Sequence, residues 1–91
     1  MRRRSQPVLS DIPVGGPKRL GRVIRCERRK HRLTLAQLAR TTGISLGYLS
    51  QVELGKNNAT ISTLARIAHA LGFRLSQLIL QAEDYPEEMQ P

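Results

Sequence analysis

The side chains with the most chemical information lie in residues 33–56, which form two short amphipathic segments joined at Gly43. The second segment leaves a mostly small and polar set of residues on its solvent side: Leu46, Gly47, Ser50 and Gln51. A helix whose exposed side carries mostly small and polar residues suits insertion into the major groove of DNA. Recognition there proceeds by contacts to base edges. The chemistry predicted here is therefore recognition and not bond making.

The residue types that usually carry catalysis or bind metals are few and scattered. His31, His69 and the lone Cys26 lack the ligand spacing of a metal site, and no arrangement of Ser, His and acid predicts nucleophilic catalysis. A single cysteine excludes an intramolecular disulfide, and we expect Cys26 to be a packing residue of the first helix, not a redox sensor. The sequence predicts a protein that is not an enzyme and needs no cofactor.

The charge of the chain is strongly positive, with 15 Lys and Arg against 7 acids and a net charge of +8. Four of the acids lie in the final segment, 82–91, so residues 1–81 are more basic still. Such an excess favours a polyanionic partner through counterion release, although DNA, RNA, an anionic membrane or an acidic protein would satisfy it equally. No apolar run reaches the ~18–20 residues of a membrane span, and no signal peptide is recognisable, so we expect a cytoplasmic location.

Helical periodicity defines the elements that position these residues. A first helix begins at Arg19, with an inward stripe formed by Leu20, Val23, Ile24, Glu27 and Arg28. It should fray over residues 31–33.

The next two helices carry clear start and stop signals. Thr34 with Gln37 makes a capping box, and Gly43 supplies the positive φ that ends a helix. Ser45 caps the following helix, in which Leu49 and Val52 face inward before Gly55 ends it. Two short helices joined by such a turn have the layout of a helix-turn-helix.

Two further helices complete the pattern. Thr60 caps a fourth helix that ends at Gly72, and residues 73–80 form a short fifth helix. Phe73, Leu78 and Leu80 suit either a dimer contact or the closing of the monomer core. The sequence thus predicts an all-α, five-helix domain at 19–81. A disordered basic N-terminal arm at 1–18 and an acidic C-terminal tail at 82–91 flank it.

Residues 20–80 resemble the phage-repressor (Cro/C1, or XRE-type) helix-turn-helix family. The resemblance rests on LTLAQLARTTGISLGYLSQVELGK, preceded by LGRVIRCERRK and followed by TISTLARIAHALG. It implies a compact lambda-repressor-like domain that binds operator DNA, usually as a homodimer. The second helix would span the phosphates, and the third would be inserted in the major groove.

The resemblance also assigns roles to individual residues. The positions expected to face the bases are Leu46, Gly47, Ser50 and Gln51. Gln51 is the best direct reader, because glutamine pairs bidentately with adenine. The positions expected at phosphates are Thr34, Ser45, Tyr48, Lys56 and Asn57. The arm residues Arg2, Arg3 and Arg4 either enter the minor groove or form a solvated tail that raises nonspecific affinity.

Two features refine that assignment. Family members often have hydrogen-bonding side chains where this chain has Leu46 and Gly47, and each missing bidentate contact gives up roughly 1–3 kcal/mol of base discrimination. We therefore expect modest direct readout, with more weight on phosphate contacts, DNA shape and the N-terminal arm. Arg28 and Glu53 match a pair that forms an internal salt bridge in relatives, which implies a structural role.

The leading functional hypothesis is a DNA-binding transcriptional regulator, most simply a homodimeric repressor. An antitoxin is the first alternative, with the acidic tail or the arm binding a partner toxin. A controller of a restriction–modification operon is the second. A third is the DNA-binding head of a regulator with a cupin-like sensing domain.

Overall fold

This computed structural model describes residues 16–85, and this range contains five α-helices. They are α1 (Gly16–Lys30), α2 (Leu35–Thr42), α3 (Leu46–Glu53), α4 (Ile61–Ala70) and α5 (Leu75–Glu83). This range contains no strand, so the predicted all-α, five-helix fold is confirmed. None of these five helices is both long enough and apolar enough to cross a membrane.

A single aliphatic core joins the five helices. Each helix contributes at least one side chain that is fully buried: Ile24, Leu38, Leu49, Leu64, Ile67 and Leu78. Burial of one such side chain stabilises the fold by about 1.5–3 kcal/mol. Through this core α1 packs against α3 and α5, while α2 packs against α3 and α4. The helix pair 35–53 is therefore held from two sides by the other helices.

The helix starts follow the capping chemistry predicted from the sequence. The Thr34 hydroxyl accepts a hydrogen bond from the Gln37 N–H at 3.0 Å, and the Gln37 side chain accepts one from the Thr34 N–H at 2.8 Å. Ser45 caps α3 by accepting from the Tyr48 N–H at 3.2 Å. Thr60 caps α4 in the same way. These caps satisfy N–H groups that have no partner within their helix.

Gly43 ends α2 and begins the turn that leads to α3. It has a φ of 73°, in the left-handed region that glycine adopts without strain, and its N–H donates to the Ala39 carbonyl at 2.9 Å. Ile44 follows, half-buried against the core. The predicted junction at Gly43 is thus a helix C-cap, and the residue after it, Ile44, packs against the core.

Helix boundaries differ from the sequence prediction at both ends of the domain. α1 begins at Gly16, three residues before the predicted start, and Pro17 suits its first turn because no N–H is needed there. α5 begins at Leu75, two residues late, and continues to Glu83, so the buried Ala82 belongs to the helix and not to the tail. The predicted arm residues Arg2, Arg3 and Arg4, with residues 86–91, lie outside the described part of the chain.

At the C-terminal end, the three apolar residues that suited either a dimer contact or the core take different places. Leu78 is fully buried, and Phe73 is half-buried against the core. Leu80 is 56% exposed on α5. The first two close the monomer core, and only Leu80 is left at the surface.

Candidate nucleic-acid interface

The α3 helix presents one face to the core and one to solvent. Its inward side buries Leu49, Val52 and Glu53, as the periodicity predicted for the first two. Three residues of the predicted base-facing set are exposed on the other side: Leu46, Gly47 and Gln51. The fourth, Ser50, is half-buried, because α3 packs against both α1 and α2 and its buried arc is wide.

The first two residues of α3, Leu46 and Gly47, offer no side-chain hydrogen-bonding group. Leu46 is 49% exposed and offers only methyl groups, which suit contact with a thymine methyl. A β-carbon placed on Gly47 would meet no atom within 4 Å, so open space surrounds this position. Gln51, one turn further on, is the exposed side chain of this set that both donates and accepts hydrogen bonds.

The predicted phosphate contacts lie at helix starts and in the loop after α3. Thr34 and Ser45 are exposed, and each hydroxyl accepts a capping hydrogen bond, which leaves the hydroxyl proton to be donated to an anion. The Thr34 N–H is already donated to Gln37, so that residue offers its side chain and not its backbone. Lys56 and Asn57 are exposed in the loop between α3 and α4.

Tyr48 occupies a less open position than the other predicted phosphate ligands. Its ring is half-buried against the core, and its hydroxyl donates to the Asn58 carbonyl at 3.5 Å. A bond of that length is weak, so the hydroxyl can turn to an external acceptor at small cost. Tyr48 connects α3 to the loop that carries Lys56 and Asn57.

An ion pair between Arg28 of α1 and Glu53 of α3 fixes the C-terminal end of α3. Arg28 donates through Nε to Glu53 Oε2 at 2.6 Å and through Nη2 to Oε1 at 3.0 Å. A third bond joins Arg28 Nη1 to the Leu33 carbonyl at 2.8 Å. The hydrogen bond to Glu53 raises the pKa of the Arg28 guanidinium above its ordinary value, against the opposing effect of partial burial. The pair implied by the family resemblance is confirmed.

Two glycines allow α1 to approach the C-terminal end of α3 closely. A β-carbon on Gly21 would lie 2.5 Å from the Val52 carbonyl oxygen and still closer to that of Glu53. One on Gly55, at a φ of +73°, would lie 2.9 Å from the Lys18 Cα. Sequence reasoning missed Gly21. The signal was available, because a glycine inside a helix costs about 1 kcal/mol relative to alanine and therefore calls for a packing reason.

Arg66 of α4 provides a second tie that the sequence did not reveal. Its Nη2 donates to the Thr42 carbonyl at 2.6 Å, at the last residue of α2. The Thr42 hydroxyl turns inward and donates to the Leu38 carbonyl at 2.8 Å. The turn between α2 and α3 is therefore braced from α4. No local pattern marks Arg66 for this role.

Cys26, the lone cysteine of the chain, does not lie where it was expected. Cys26 is exposed on the basic side of α1, so the prediction that it is a packing residue of this helix was wrong. Its position falls off the inward stripe that buries Leu20, Val23 and Ile24. Among residues 16–85, no three His, Cys, Asp or Glu side chains group so as to hold a metal ion.

Comparison with known proteins identifies the helical pair as part of a larger match. Residues 24–78, more than half of the chain, match the protein-family model HTH_3, described as helix-turn-helix. The immunity repressor protein of Bacillus phage phi105 is 35% identical over 60 residues, or 66% of this chain, but the match spans only 42% of that repressor. The uncharacterized HTH-type transcriptional regulator y4dJ of Sinorhizobium fredii is 36% identical over 59 residues, covering 65% of this chain and 77% of that protein.

Solved structures share the same arrangement. The clp gene regulator ClgR of Corynebacterium glutamicum superimposes with a TM-score of 0.72 at 32% identity, covering 75% of this chain and 72% of ClgR. The restriction-modification controller C.AhdI of Aeromonas hydrophila gives 0.66 at 26% identity, covering 68% and 94%. SinR, a master regulator for biofilm formation solved in complex with DNA, gives 0.63 at 26% identity, covering 66% and 97%.

Proposed function

The chain belongs to the helix-turn-helix family of DNA-binding transcriptional regulators, and on that premise we propose that it binds a specific DNA sequence as a homodimeric repressor. In this proposal α3 enters the major groove, where Gln51 reads a base edge and Leu46 contacts a thymine methyl. The observation that carries it is the exposed outer side of α3. The C-terminal end of this helix is tied to α1 through Arg28 and Glu53, and Arg66 of α4 ties the end of α2 that precedes it. The proposal includes a cytoplasmic location and no catalytic activity.

Phosphate contacts supply most of the affinity in this proposal. The candidate ligands are the predicted set at the helix starts and the loop: Thr34, Ser45, Tyr48, Lys56 and Asn57. All except the half-buried Tyr48 are exposed. Because Leu46 and Gly47 contribute no side-chain hydrogen bond, base readout is modest and the deformability of the DNA carries part of the specificity.

The proposal of a repressor rests on a named relative, the phage phi105 immunity repressor. The proposal of a homodimer rests on the family resemblance and on the small size of the domain, for which association adds buried surface. A dimer of this family binds two half-sites about one helical turn of DNA apart. A palindromic recognition sequence is therefore expected.

A controller of a restriction–modification operon is the second candidate. The observation in its favour is the likeness to C.AhdI, which extends over 94% of that controller. The antitoxin alternative keeps the status of a hypothesis, since its predicted toxin-binding segments lie largely outside the described residues. Identification of the neighbouring genes separates the three roles.

The direct test is selection from a random duplex library with the purified full chain, followed by fluorescence anisotropy titration on the enriched sequence. We expect one enriched palindromic motif and an affinity that falls steeply with salt, with a log–log slope of roughly −0.9 per phosphate neutralised. Enrichment of no motif, or binding that is insensitive to salt, would contradict the proposal.

A further inference from the structure

A basic groove lies between α1 and the C-terminal end of α3, beside the predicted DNA-binding face. We define it as the α1/α3 groove, lined by Lys18, Arg22, Arg25, Glu53, Leu54, Gly55 and Lys56. Its volume is about 330 Å³. Lys18, Arg22 and Arg25 follow one another at spacings of four and three residues, which places them on one side of α1.

Backbone contact assembles this groove. At Gly55, the position of a β-carbon lies 2.7 Å from the Lys18 Cγ and 2.9 Å from its Cα. At Gly21, one α1 turn further on, the backbone touches the Val52 and Glu53 carbonyls. The first two turns of α1 are thereby pressed onto the end of α3. The basic side of α1 is brought next to Lys56 as a consequence.

The positive charges that line the groove are not neutralised by carboxylates of the same lining. Glu53 is the one carboxylate among the lining residues, and both of its oxygens are already held by Arg28 at 2.6 and 3.0 Å. Lys18, Arg25 and Lys56 are exposed. The Nε of Arg22 is buried and donates to no acceptor within residues 16–85. Four cations thus face a shared space that has one carboxylate, itself fully engaged.

We infer that the α1/α3 groove binds a backbone phosphate of DNA flanking the segment that α3 contacts. The groove is continuous with the loop after α3, where Lys56 is already a predicted phosphate ligand. Guanidinium groups match phosphate oxygens in charge and geometry, and a polyanion relieves the crowding of four like charges. This inference rests on the proposed function and extends the footprint of the protein beyond the predicted contacts.

A competing explanation exists for the same charges. Cations near the C-terminal end of α3 interact favourably with its dipole, and they would do so without any ligand. The two explanations differ in what neutralisation of the cations changes. If they serve the dipole, neutralisation lowers the stability of the fold. If they form a phosphate site, it lowers the DNA affinity and the salt dependence of binding.

The test compares two double variants with equal loss of charge. Lys18→Gln with Arg25→Gln removes two exposed cations from the groove, and Arg29→Gln with Arg74→Gln removes two exposed cations elsewhere. Each is titrated by anisotropy against the duplex that the wild-type chain selects, over a series of salt concentrations. Thermal melts of both variants show that they are folded. Single variants Lys18→Gln and Arg25→Gln are used if the double variant melts early.

We expect the groove variant to bind several-fold more weakly, and its salt slope to shrink by about 0.9 for each phosphate that it no longer neutralises. Binding should weaken equally on the selected and on scrambled sequences, because phosphates carry no sequence information. A duplex shortened on the flank should weaken binding by the wild type but not by the groove variant.

Equal reductions of affinity in the groove variant and the control variant would overturn this inference while leaving the proposed function standing. So would a groove variant that melts earlier yet binds with the wild-type slope, which is the signature of the dipole explanation. A wild-type chain that selects no DNA sequence would overturn the proposed function and this inference with it.

Discussion

Gly21 of α1 lies directly against the Val52 carbonyl of α3, so closely that a β-carbon on Gly21 would be 2.5 Å from that oxygen. The obstructing atoms belong to backbone, which cannot move aside as a flexible side chain can. The close approach of α1 to α3 therefore depends on the absence of a β-carbon at Gly21.

Gly21→Ala should therefore destabilise the fold by about 1–3 kcal/mol through overpacking. Gly47→Ala is the matched control, since its β-carbon would enter open space. That change should stabilise the fold by about 0.5–1 kcal/mol, because alanine is the better helix former. Urea unfolding of both variants measures the difference. Similar stabilities for the two variants would contradict the packing described for α1 and α3.

Glu53→Ala should cost about 3–5 kcal/mol of unfolding free energy, because it leaves Arg28 partly buried without its carboxylate partner. Lys30→Gln breaks the surface pair between Lys30 and Glu27, in which Lys30 is largely exposed. That control should leave the denaturation midpoint close to the wild-type value. A destabilisation by Glu53→Ala no larger than that of the control would show that the buried pair contributes nothing to stability.

Arg66→Ala should loosen the turn between α2 and α3, since it removes the bond to the Thr42 carbonyl. The expected destabilisation is about 1 kcal/mol, below the usual value for a charged hydrogen bond because the Arg66 side chain is exposed. Hydrogen exchange at residues 42–45 should accelerate in this variant and not in Arg40→Ala, a change at an exposed arginine of α2. Unchanged exchange in both would remove Arg66 from the support of the turn.

Gln51→Ala should reduce discrimination between the selected sequence and its single-base variants by about 1–3 kcal/mol, with a stability change within about 0.5 kcal/mol. Gln81→Ala, on the exposed side of α5, is the control. Anisotropy titrations against a panel of point-substituted duplexes measure the discrimination. If Gln51→Ala weakens binding to every duplex equally, Gln51 contacts the backbone and not a base.

Much of the fold followed from the sequence wherever neighbouring residues decide the structure. The capping box of Thr34 and Gln37 and the left-handed turn at Gly43 involve residues a few positions apart, and both were confirmed. The pair of Arg28 and Glu53, 25 residues apart, was accessible only through the family resemblance.

Other features depend on tertiary contacts and were missed or predicted wrongly. The bond from Arg66 to Thr42 joins residues 24 apart, and nothing near either of them indicates the other. Ser50 is half-buried and Cys26 exposed because the buried arcs of α3 and α1 are set by which helices pack against them. The roles of Leu46, Gly47, Ser50 and Gln51 at base edges stay predictions.

The open space around Gly47 means that a change at this exposed position of α3 does not disturb the packing of the core. A β-carbon can be introduced there without meeting any atom within 4 Å. Under the proposed function, a substitution at Gly47 would change the surface offered to DNA while leaving the packing of the core unchanged. Under the proposed function, one substitution at Gly47 is therefore a route by which a descendant of this chain would acquire a new DNA target without repacking its core.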